Sequence, residues 1–324
     1  MTREPHVESL RRQQRLVFRC VTMFLLDLVG RQIRRHDGDF TRAIVYMAAI
    51  QASRSPAGGE GLVAAARAFS VRAIAQSLAL PYETTRRKVA GLEAAGLARR
   101  DGPRGYTVAP AVLESEARRT DNEATWHALQ RVIVDLRALG FDFSQFANGK
   151  IPAPACGLAK KELVEAVTTL TNDFLLRVLE AGSRPHGSML DASIIATLIL
   201  ANAELLTLDP ELAWTYSGAA TPPPDHLRTP ATITSLAASL GLTHETLRRR
   251  MRHYRALGWV KRATGGYLMT LDRLQDPDVL AAGLMIVQRF LQLLQSVSQL
   301  GVDLATVGAE GYSTHPPFTS PPPV

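Results

Sequence analysis

The chain contains 324 residues, of which 46% are hydrophobic, and it carries a formal net charge of +7. That length suffices for two domains with buried cores. The two cysteines, Cys20 and Cys156, match no metal-binding or redox spacing, so we expect a reduced, cytoplasmic protein without a metal or cofactor. The apolar run at residues 16–29 is interrupted by two charges and is too short to span a bilayer, so we expect neither a cleavable signal nor membrane contact.

Two helices are predicted at the start of the chain. Apolar residues recur at helical spacing over residues 7–36 and again near residues 40–53, which predicts amphipathic helices. The His-Asp-Gly-Asp motif at residues 36–39 separates these helices. The Ser-Pro-Ala-Gly-Gly motif at residues 55–59 predicts a loop after the second one.

Residues 70–108 follow as a compact unit, which we call the first module. Ser70 is a residue type that caps helices, and it precedes a short helix and a tight turn. A second helix then begins, and Gly96 is expected to end it. Two short β-like runs predict a basic hairpin, or wing, that closes on Tyr106. The positions of the second helix that are expected to point inward are Thr85, Val89 and Leu92.

A long helix is predicted after the first module, from about residue 115 to residue 140. Its apolar residues are spaced 3, 4 and 3 apart, as in a coiled-coil seam; they are Trp126, Leu129, Ile133 and Leu136. Residues 145–158 are rich in glycine, proline and small side chains, which predicts a linker.

The second half of the chain repeats this order. Residues 232–270, the second module, align with the first at an offset of 162, and 11 of 29 aligned positions are identical. Such self-similarity indicates an internal repeat. Apolar residues before and after the module match at offsets of 150 and 161, so we expect the duplication to cover the whole fold. The inward positions of the second copy are Leu247, Met251 and Tyr254, and its matching seam is Val287, Phe290, Leu294 and Val297.

The runs PYETTRRKVAGLEAAGL (residues 81–97) and THETLRRRMRHYRALGW (residues 243–259) resemble the recognition helices of bacterial winged helix-turn-helix transcriptional regulators. The resemblance covers the two modules, about a quarter of the chain, and implies a fold whose second helix enters the DNA major groove. The order helix, helix, module, long helix is also that of the MarR-type regulators, homodimers whose terminal helices interlock. The chain is similar to two such units joined covalently, which implies a monomeric pseudo-dimer or a homodimer.

These observations predict a mostly α fold with small β-wings. We expect two winged helix-turn-helix domains that are related by internal duplication and packed through long helices. The expected boundaries are residues 1–144 for the first unit, 145–158 for the linker, 159–306 for the second unit and 307–324 for a disordered tail.

Positive charge is concentrated in the two modules. The first carries +4 and the second +6, whereas the remainder of the chain carries −3. Positive charge therefore lies where a polyanion would dock, which predicts double-stranded DNA as the partner; a solvated basic face is the alternative.

On each recognition helix, four positions are expected to face away from the apolar stripe. They are Glu83, Arg86, Arg87 and Ala90 in the first copy, and Glu245, Arg248, Arg249 and Arg252 in the second. An arginine can bond guanine O6 and N7 together, and a glutamate can accept from cytosine N4. Alternatively, each glutamate stabilises the positive end of its helix and pairs with the arginine four residues later.

Further candidates for DNA contact lie beside the recognition helices. The wing cations, which usually bond phosphates or enter the minor groove, are Arg99, Arg100, Arg104, Lys261 and Arg262. Tyr82 and His244 begin the two helices, where they either contact DNA or pack. Thr84 and Thr246 complete the predicted set.

Enzyme chemistry is not expected. The run beginning His244-Glu245 opens like a zinc-protease motif, but Arg248 stands where the second ligand is required. A small-molecule effector of unknown identity remains open, because a few aromatic residues either line a pocket or belong to the core; they are Trp126, Trp214, Tyr216 and Phe290.

The predicted function is that of a sequence-specific transcriptional regulator whose recognition helices read two non-identical half-sites. One alternative is a plasmid-type replication initiator with two winged-helix domains. The other is a winged-helix adaptor for protein–protein contacts. The arginine pairs present in both copies argue against the adaptor.

Overall fold

The computed structural model describes residues 14–54, 67–146, 160–218 and 221–308, which are mostly helical with two small antiparallel sheets. The elements of the first half are α1 (Gln14–Arg35), α2 (Phe40–Arg54), α3 (Val71–Ser77), α4 (Tyr82–Ala94), β1 (Ala98–Arg100), β2 (Tyr106–Val108), α5 (Pro110–Leu113) and α6 (Glu116–Ala138). Those of the second half are α7 (Lys160–Ser183), α8 (Met189–Asn202), α9 (Glu204–Leu208), α10 (Pro210–Thr215), α11 (Ile233–Leu240), α12 (His244–Ala256), β3 (Val260–Ala263), β4 (Gly266–Met269), α13 (Leu271–Leu274) and α14 (Pro277–Gln299).

Four long helices form the centre of the molecule. Helix α1 packs on α6 and α14, and α7 packs on the same two helices. The predicted 3, 4, 3 seams supply much of this core, as the spacing requires. Their buried members are Leu129, Ile133 and Leu136 on α6, and Val287, Phe290, Leu294 and Val297 on α14.

An aromatic cluster fixes the middle of the four-helix core. The ring of Phe290 lies 6.0 Å from that of Phe24 and 5.9 Å from that of Phe174, and the latter two rings are 6.4 Å apart. Edge-to-face contacts at such distances add to the free energy of burying the rings. Phe290 is therefore a core residue. Of the two roles considered for it, the core and an effector pocket, the structure supports the core.

Helices α2 and α8 pack against the central bundle and join the two halves. Helix α2 packs on α1 of its own half and on α7 of the other, while α8 packs on α7 and on α1. Arg54, at the end of α2, forms an ion pair with Glu165 of α7 at 2.5 Å. One helix of each half, α2 or α8, thus packs against a long helix of the other half.

The first and second modules each begin with the predicted pair of short helices. The Ser70 hydroxyl accepts from the Ala73 amide at 3.0 Å, which confirms the predicted cap, and in the second module the Thr232 hydroxyl accepts from the Ser235 amide at 2.9 Å in the same way. Gly96, which was expected to end the second helix, and its counterpart Gly258 both adopt a left-handed φ of 71°. All the inward positions predicted for these helices are buried: Thr85, Val89, Leu92, Leu247, Met251 and Tyr254.

Each wing is a two-stranded antiparallel sheet. In β1–β2, Arg100 pairs with Tyr106, and in β3–β4, Arg262 pairs with Tyr267. An isolated bridge joins each tyrosine to the residue just before the N-cap of the module's first helix, Phe69 or Ala231. The wings are consequently attached to the start of their own modules.

A polar side chain near the end of α2 or α8 holds the second strand of each wing. The Ser53 hydroxyl accepts from the Val108 amide at 3.2 Å, and the Asn202 side-chain oxygen accepts from the Met269 amide at 2.9 Å. Asn202 also donates to the carbonyl of Tyr267 at 3.0 Å. A buried strand amide that has no partner within its sheet needs an acceptor elsewhere. These bonds supply that acceptor and fix the wing against the body.

Several boundaries differ from the predicted ones. The second helix ends at Arg54 and the long helix spans 116–138, both within the usual fraying of helix ends. Helices α9 and α10 occupy a segment for which no helix was predicted; Asp209 caps α10 and Pro210 opens it. Most of the predicted linker, the tail beyond residue 308 and the start of the first helix lie outside the described residues.

Helix α14 is, by length and composition, apolar enough to cross a membrane. Within the described residues it is the one helix that passes this test. Five of its side chains are buried in the central bundle, and Phe290 is at its centre. Only 22% of its apolar window is buried and Leu284 is 39% exposed, so packing in the bundle accounts for part of its apolar surface and not for all of it.

Candidate nucleic-acid interface

Helices α4 and α12 present the predicted faces to solvent. Their apolar residues are directed into the modules, so the positions between them point outward. All eight predicted outward positions are exposed: Glu83, Arg86, Arg87, Ala90, Glu245, Arg248, Arg249 and Arg252. The helical spacing alone therefore places two adjacent arginines on the surface of each module.

The glutamate–arginine pairing differs from the predicted one. The Arg86 Nε atom lies 2.9 Å from the Glu83 carboxylate, so the pair is formed at a spacing of three residues and not of four. Both spacings place side chains on one helix face, and the shorter one leaves Arg87 without this carboxylate. In the described second module, Glu245 and Arg249 form no ion pair. The pairings proposed for Arg87 and Arg249 are thus wrong.

Each of these helices carries a basic triplet, Arg86-Arg87-Lys88 in α4 and Arg248-Arg249-Arg250 in α12. The third cation of each triplet points toward the body of the protein. Lys88 donates to the Asp39 carboxylate at the start of α2, and Arg250 donates to the Asp191 carboxylate in the first turn of α8 at 3.2 Å. Both cations are half-buried, unlike the arginines that precede them. The charge of the modules therefore overstates the number of cations free to meet a partner.

Asp191 is the centre of a buried polar cluster. One of its carboxylate oxygens accepts from the Tyr254 hydroxyl, and the other accepts from Arg250. The Ser188 hydroxyl, the N-cap of α8, also bonds Asp191. Burial, followed by the hydrogen bond to Asp191 and the charge of that carboxylate, raises the pKa of Tyr254. The tyrosine is hence a permanent donor that fixes α12 to α8.

The corresponding contact in the first half is simpler. Asp39 caps α2, since it accepts from the Arg42 amide at 2.9 Å, and it also receives Lys88. Burial acts to raise the pKa of Asp39, but the hydrogen bonds from Lys88 and Arg42 outweigh it and lower that pKa. Leu92 occupies the position equivalent to Tyr254, so no hydroxyl joins this pair.

The wing cations are divided between solvent and local partners. Arg99 and Arg100 are exposed, and the Arg100 guanidinium lies 5.8 Å from the centre of the Tyr106 ring. Arg262 lies 5.4 Å from the Tyr267 ring in the same arrangement, a cation–π contact that extends the arginine along the wing. The side chain of Arg104 lies outside what the structure describes.

Lys261 is paired within the second half. It donates to Asp225, and this hydrogen bond lowers the pKa of the Asp225 carboxylate. Arg228 donates to the same aspartate at 3.1 Å. Lys261 and its partner are both about two-fifths exposed, so a polyanion could compete for this lysine.

The residues at the start of α4 and α12 are placed unequally. Tyr82 is 50% exposed and His244 is also exposed, so both can meet a partner. Thr84 and Thr246 are half-buried. Thr246 donates its amide to the capping Thr243 hydroxyl at 3.3 Å, which gives it a structural role.

Two exposed cations beside these helices were not predicted as site residues. Arg72 lies in the first turn of α3, and it lines a groove with Gln76, Tyr82 and Tyr106 between α3, α4 and the wing. Arg255 extends the basic face of α12 by one turn beyond Arg252. The signal for Arg255 was its spacing of three residues from Arg252 and seven from Arg248.

The described side chains hold no group of three or more His, Cys, Asp or Glu that could bind a metal ion. The chemistry that this surface offers is hydrogen bonding and charge neutralisation from arginine forks, flanked by tyrosine hydroxyls. Comparison of the chain with protein-family models, with curated proteins and with solved structures finds no match.

Proposed function

We propose that this protein is a cytoplasmic transcriptional regulator that binds double-stranded DNA through two winged helix-turn-helix modules. One observation carries the proposal. In each half, a short helix pair followed by a hairpin exposes two adjacent arginines on the outer face of the second helix, Arg86-Arg87 and Arg248-Arg249. Such a helix fits the major groove, where paired arginines read guanine.

The surroundings of these arginines support contact with DNA. The wings carry further exposed cations beside α4 and α12, including Arg100 and Arg262. Cations on a wing suit the phosphate backbone, because phosphate contacts set the position of the helix in the groove without reading sequence. An adaptor for proteins would not need basic side chains on both the helix and the wing of each copy.

The packing of the two halves supports a covalent pseudo-dimer. Helix α2 rests on α7 of the other half and α8 rests on α1, so the contacts are reciprocal. Reciprocal contacts are those of a two-fold dimer interface. We infer that an ancestral unit was duplicated and that each copy kept one reading head.

The two reading heads are not identical. At positions 90 and 91 the first module has Ala90 and Gly91, where the second has Arg252 and His253. A homodimer with identical heads requires a palindrome, but a fused pair with different heads does not. The preferred site is therefore two unlike half-sites.

Sequencing of genomic fragments that the purified protein retains tests this proposal. The expected result is one enriched motif with two unlike halves about one helical turn apart, roughly 10 base pairs. The control is a variant with alanine at Arg86, Arg87, Arg248 and Arg249, which should retain no motif. Absence of any enriched motif with the wild-type protein would contradict the proposal. Arrays of direct repeats accompanied by duplex melting would favour a replication initiator instead.

The affinity for that site should fall steeply with salt. Arginines that bond phosphates release condensed counterions, so raising salt from about 50 to 200 mM should cost roughly a hundredfold or more in affinity. Fluorescence anisotropy with a labelled duplex measures this dependence. A flat response would mean that the basic faces do not meet DNA.

A further inference from the structure

The basic triplet on each recognition helix divides into two outward cations and one inward cation. Arg86 and Arg87 are exposed, whereas Lys88 bonds Asp39; Arg248 and Arg249 are exposed, whereas Arg250 bonds Asp191. Lys88 and Arg250 occupy equivalent positions, 162 residues apart. Because the third cation of the triplet bonds an acid in both halves, we infer that it has a structural role and does not merely add positive charge.

The two acids that receive these cations both lie at the amino-terminal end of a helix. Asp39 is the N-cap of α2, and Asp191 lies in the first turn of α8. A carboxylate at the amino-terminal end of a helix is stabilised by the helix dipole and by free backbone amides. Each acid therefore lies at the amino-terminal end of the helix, α2 or α8, that supports its module.

We propose that Lys88 and Arg250 are positioning residues that fix the angle at which each recognition helix is presented to DNA. The inference rests on the proposed function. Each cation lies at the middle of its helix, and its bond to α2 or α8 restrains rotation of that helix about its own axis. Rotation by a fraction of a turn would move the neighbouring arginines off the base edges, because bidentate bonds to guanine demand a fixed approach.

A positioning cation and a DNA-contacting cation differ in their response to salt. A cation that bonds a phosphate releases a counterion, so its removal lowers the slope of log affinity against log salt by about one. A cation whose charge is already satisfied by Asp39 or Asp191 releases none. Its removal should weaken binding without changing the slope.

The experiment compares Lys88→Met with Arg100→Met and Arg250→Met with Arg262→Met in the full chain, since Arg100 and Arg262 are exposed wing cations at equivalent positions. The probe is the duplex recovered from genomic fragments, studied by anisotropy over a range of salt. We expect a slope lowered by about one for Arg100→Met and for Arg262→Met, because wing cations suit the phosphate backbone, and an unchanged slope for Lys88→Met and Arg250→Met. We also expect both inward variants to accept a wider range of half-site spacings than the wild-type protein.

The expected losses of affinity are unequal. Lys88→Met should cost roughly twofold to fivefold, because a half-exposed ion pair contributes little. Arg250→Met should cost about tenfold, since the Asp191 carboxylate is buried and loses a charged donor. Arg250→Lys should recover most of that loss, which keeps the test valid if Arg250→Met folds poorly.

The acids provide a second arm that does not alter any cation. Asp39→Asn retains the helix cap but removes the charge, and Asp191→Asn retains an acceptor for the Tyr254 hydroxyl. Both should weaken specific binding, although the loss of a negative charge alone would strengthen it. Asp173→Asn is the matched control, because the ion partner of Asp173 is Arg177 on the same helix, and binding should not weaken.

Two results would overturn the inference. One is a salt slope lowered in Lys88→Met or Arg250→Met by as much as in the wing variant of the same module, which would make these residues phosphate contacts. The other is tighter specific binding by Asp39→Asn and Asp191→Asn, which would mean that the acids merely withhold cations from DNA. If the wild-type protein recovers no DNA, the proposed function fails, and this inference fails with it.

Discussion

Helices α4 and α12 present similar faces to solvent, yet the contacts that hold them differ. Helix α4 packs directly along α2, and one half-exposed ion pair, Lys88 with Asp39, adds to that packing. Helix α12 is fixed by the buried Asp191, which accepts from both Tyr254 and Arg250. Apolar packing and a hydrogen-bonded carboxylate are alternative ways to support the same outer surface.

The difference extends to the first helix of each module. Helix α11 packs on α1 of the other half, and Arg34 of α1 donates to the Ser239 carbonyl at 3.4 Å. Helix α3 packs on α2 and α4 of its own half. The second module is thus joined to both halves, and the first chiefly to its own. We infer that the second module is the more rigid of the two, which gives its outer face a fixed orientation.

The largest expected effect is the loss of DNA-binding free energy when an arginine of either pair is replaced. Replacing Arg248 or Arg249 by alanine should each cost about 1–3 kcal/mol of binding free energy and relax one base position, as a lost bidentate contact does. Replacing Arg86 or Arg87 should have the same effect at the other half-site, but with a smaller total loss of binding free energy. The reason is that Arg86 must give up or share its ion pair with Glu83 in order to reach a base.

Titration of the four single variants against single-base variants of the recovered site measures these effects. Glu83→Gln serves as a control, because it releases Arg86 and should raise the contribution of that arginine. Equal losses at both pairs would remove the asymmetry that we infer. Uniform weakening on every base variant would mean that the arginines contact phosphates and do not read sequence.

The buried faces of these helices could be predicted because they depend only on helical spacing. Val89 and Leu92 in α4, and Met251 in α12, are buried whatever lies opposite them, since the apolar stripe must meet some core. The two caps at Ser70 and Thr232 were likewise local signals. Short-range patterns therefore suffice for the modules and for their exposed arginines.

The attachment of the modules could not be predicted in this way. Lys88 and Arg250 look like their neighbours in sequence, but each bonds an acid that lies 49 or 59 residues earlier in the chain. No periodicity within a helix identifies such a partner. Helix α10 differs, because the Asp209-Pro210 pair is a local signal for the start of a helix.

The pH dependence of stability compares the two loops that connect the first two helices of each half. Each loop contains a buried histidine, His36 or His186, whose pKa is lowered to about 4. Burial is the main cause, followed by Arg42 and Arg35 for His36 and by Arg273 for His186. Both folded-state pKa values lie below the ordinary value of 6.5, so protons bind the unfolded chain more tightly.

Stability from these histidines is therefore fully present above about pH 6.5 and is lost as the pH falls toward about 4. Each histidine should contribute a loss of about 1–2 kcal/mol between pH 7.5 and pH 5. Urea unfolding of the wild-type protein, His36→Gln and His186→Gln measures it. Each variant should remove part of the pH dependence, and a dependence unchanged in both would contradict the assignment.

The buried carboxylate cluster should contribute more stability than its counterpart in the first half. Tyr254→Phe removes a buried hydrogen bond to a charged acceptor and should cost about 1.5–3 kcal/mol. Asp39→Asn keeps the cap of α2 and breaks only the half-exposed ion pair, so it should cost less than about 1 kcal/mol. Urea unfolding at neutral pH compares the two variants. Equal losses would show that the two attachments are equivalent.

The last comparison concerns the two helix caps. Ser70→Ala and Thr232→Ala each leave a helix amide without its hydroxyl acceptor, so each should cost about 1 kcal/mol. The global loss should be similar, but local opening should not be. Helix α11 also packs on α1 of the other half, and α3 has no such contact of comparable extent. Native-state hydrogen exchange should therefore show faster exchange across α3 in Ser70→Ala than across α11 in Thr232→Ala, because local opening follows the density of tertiary contacts. Equal acceleration in the two helices would mean that the contact with α1 does not restrain the second module.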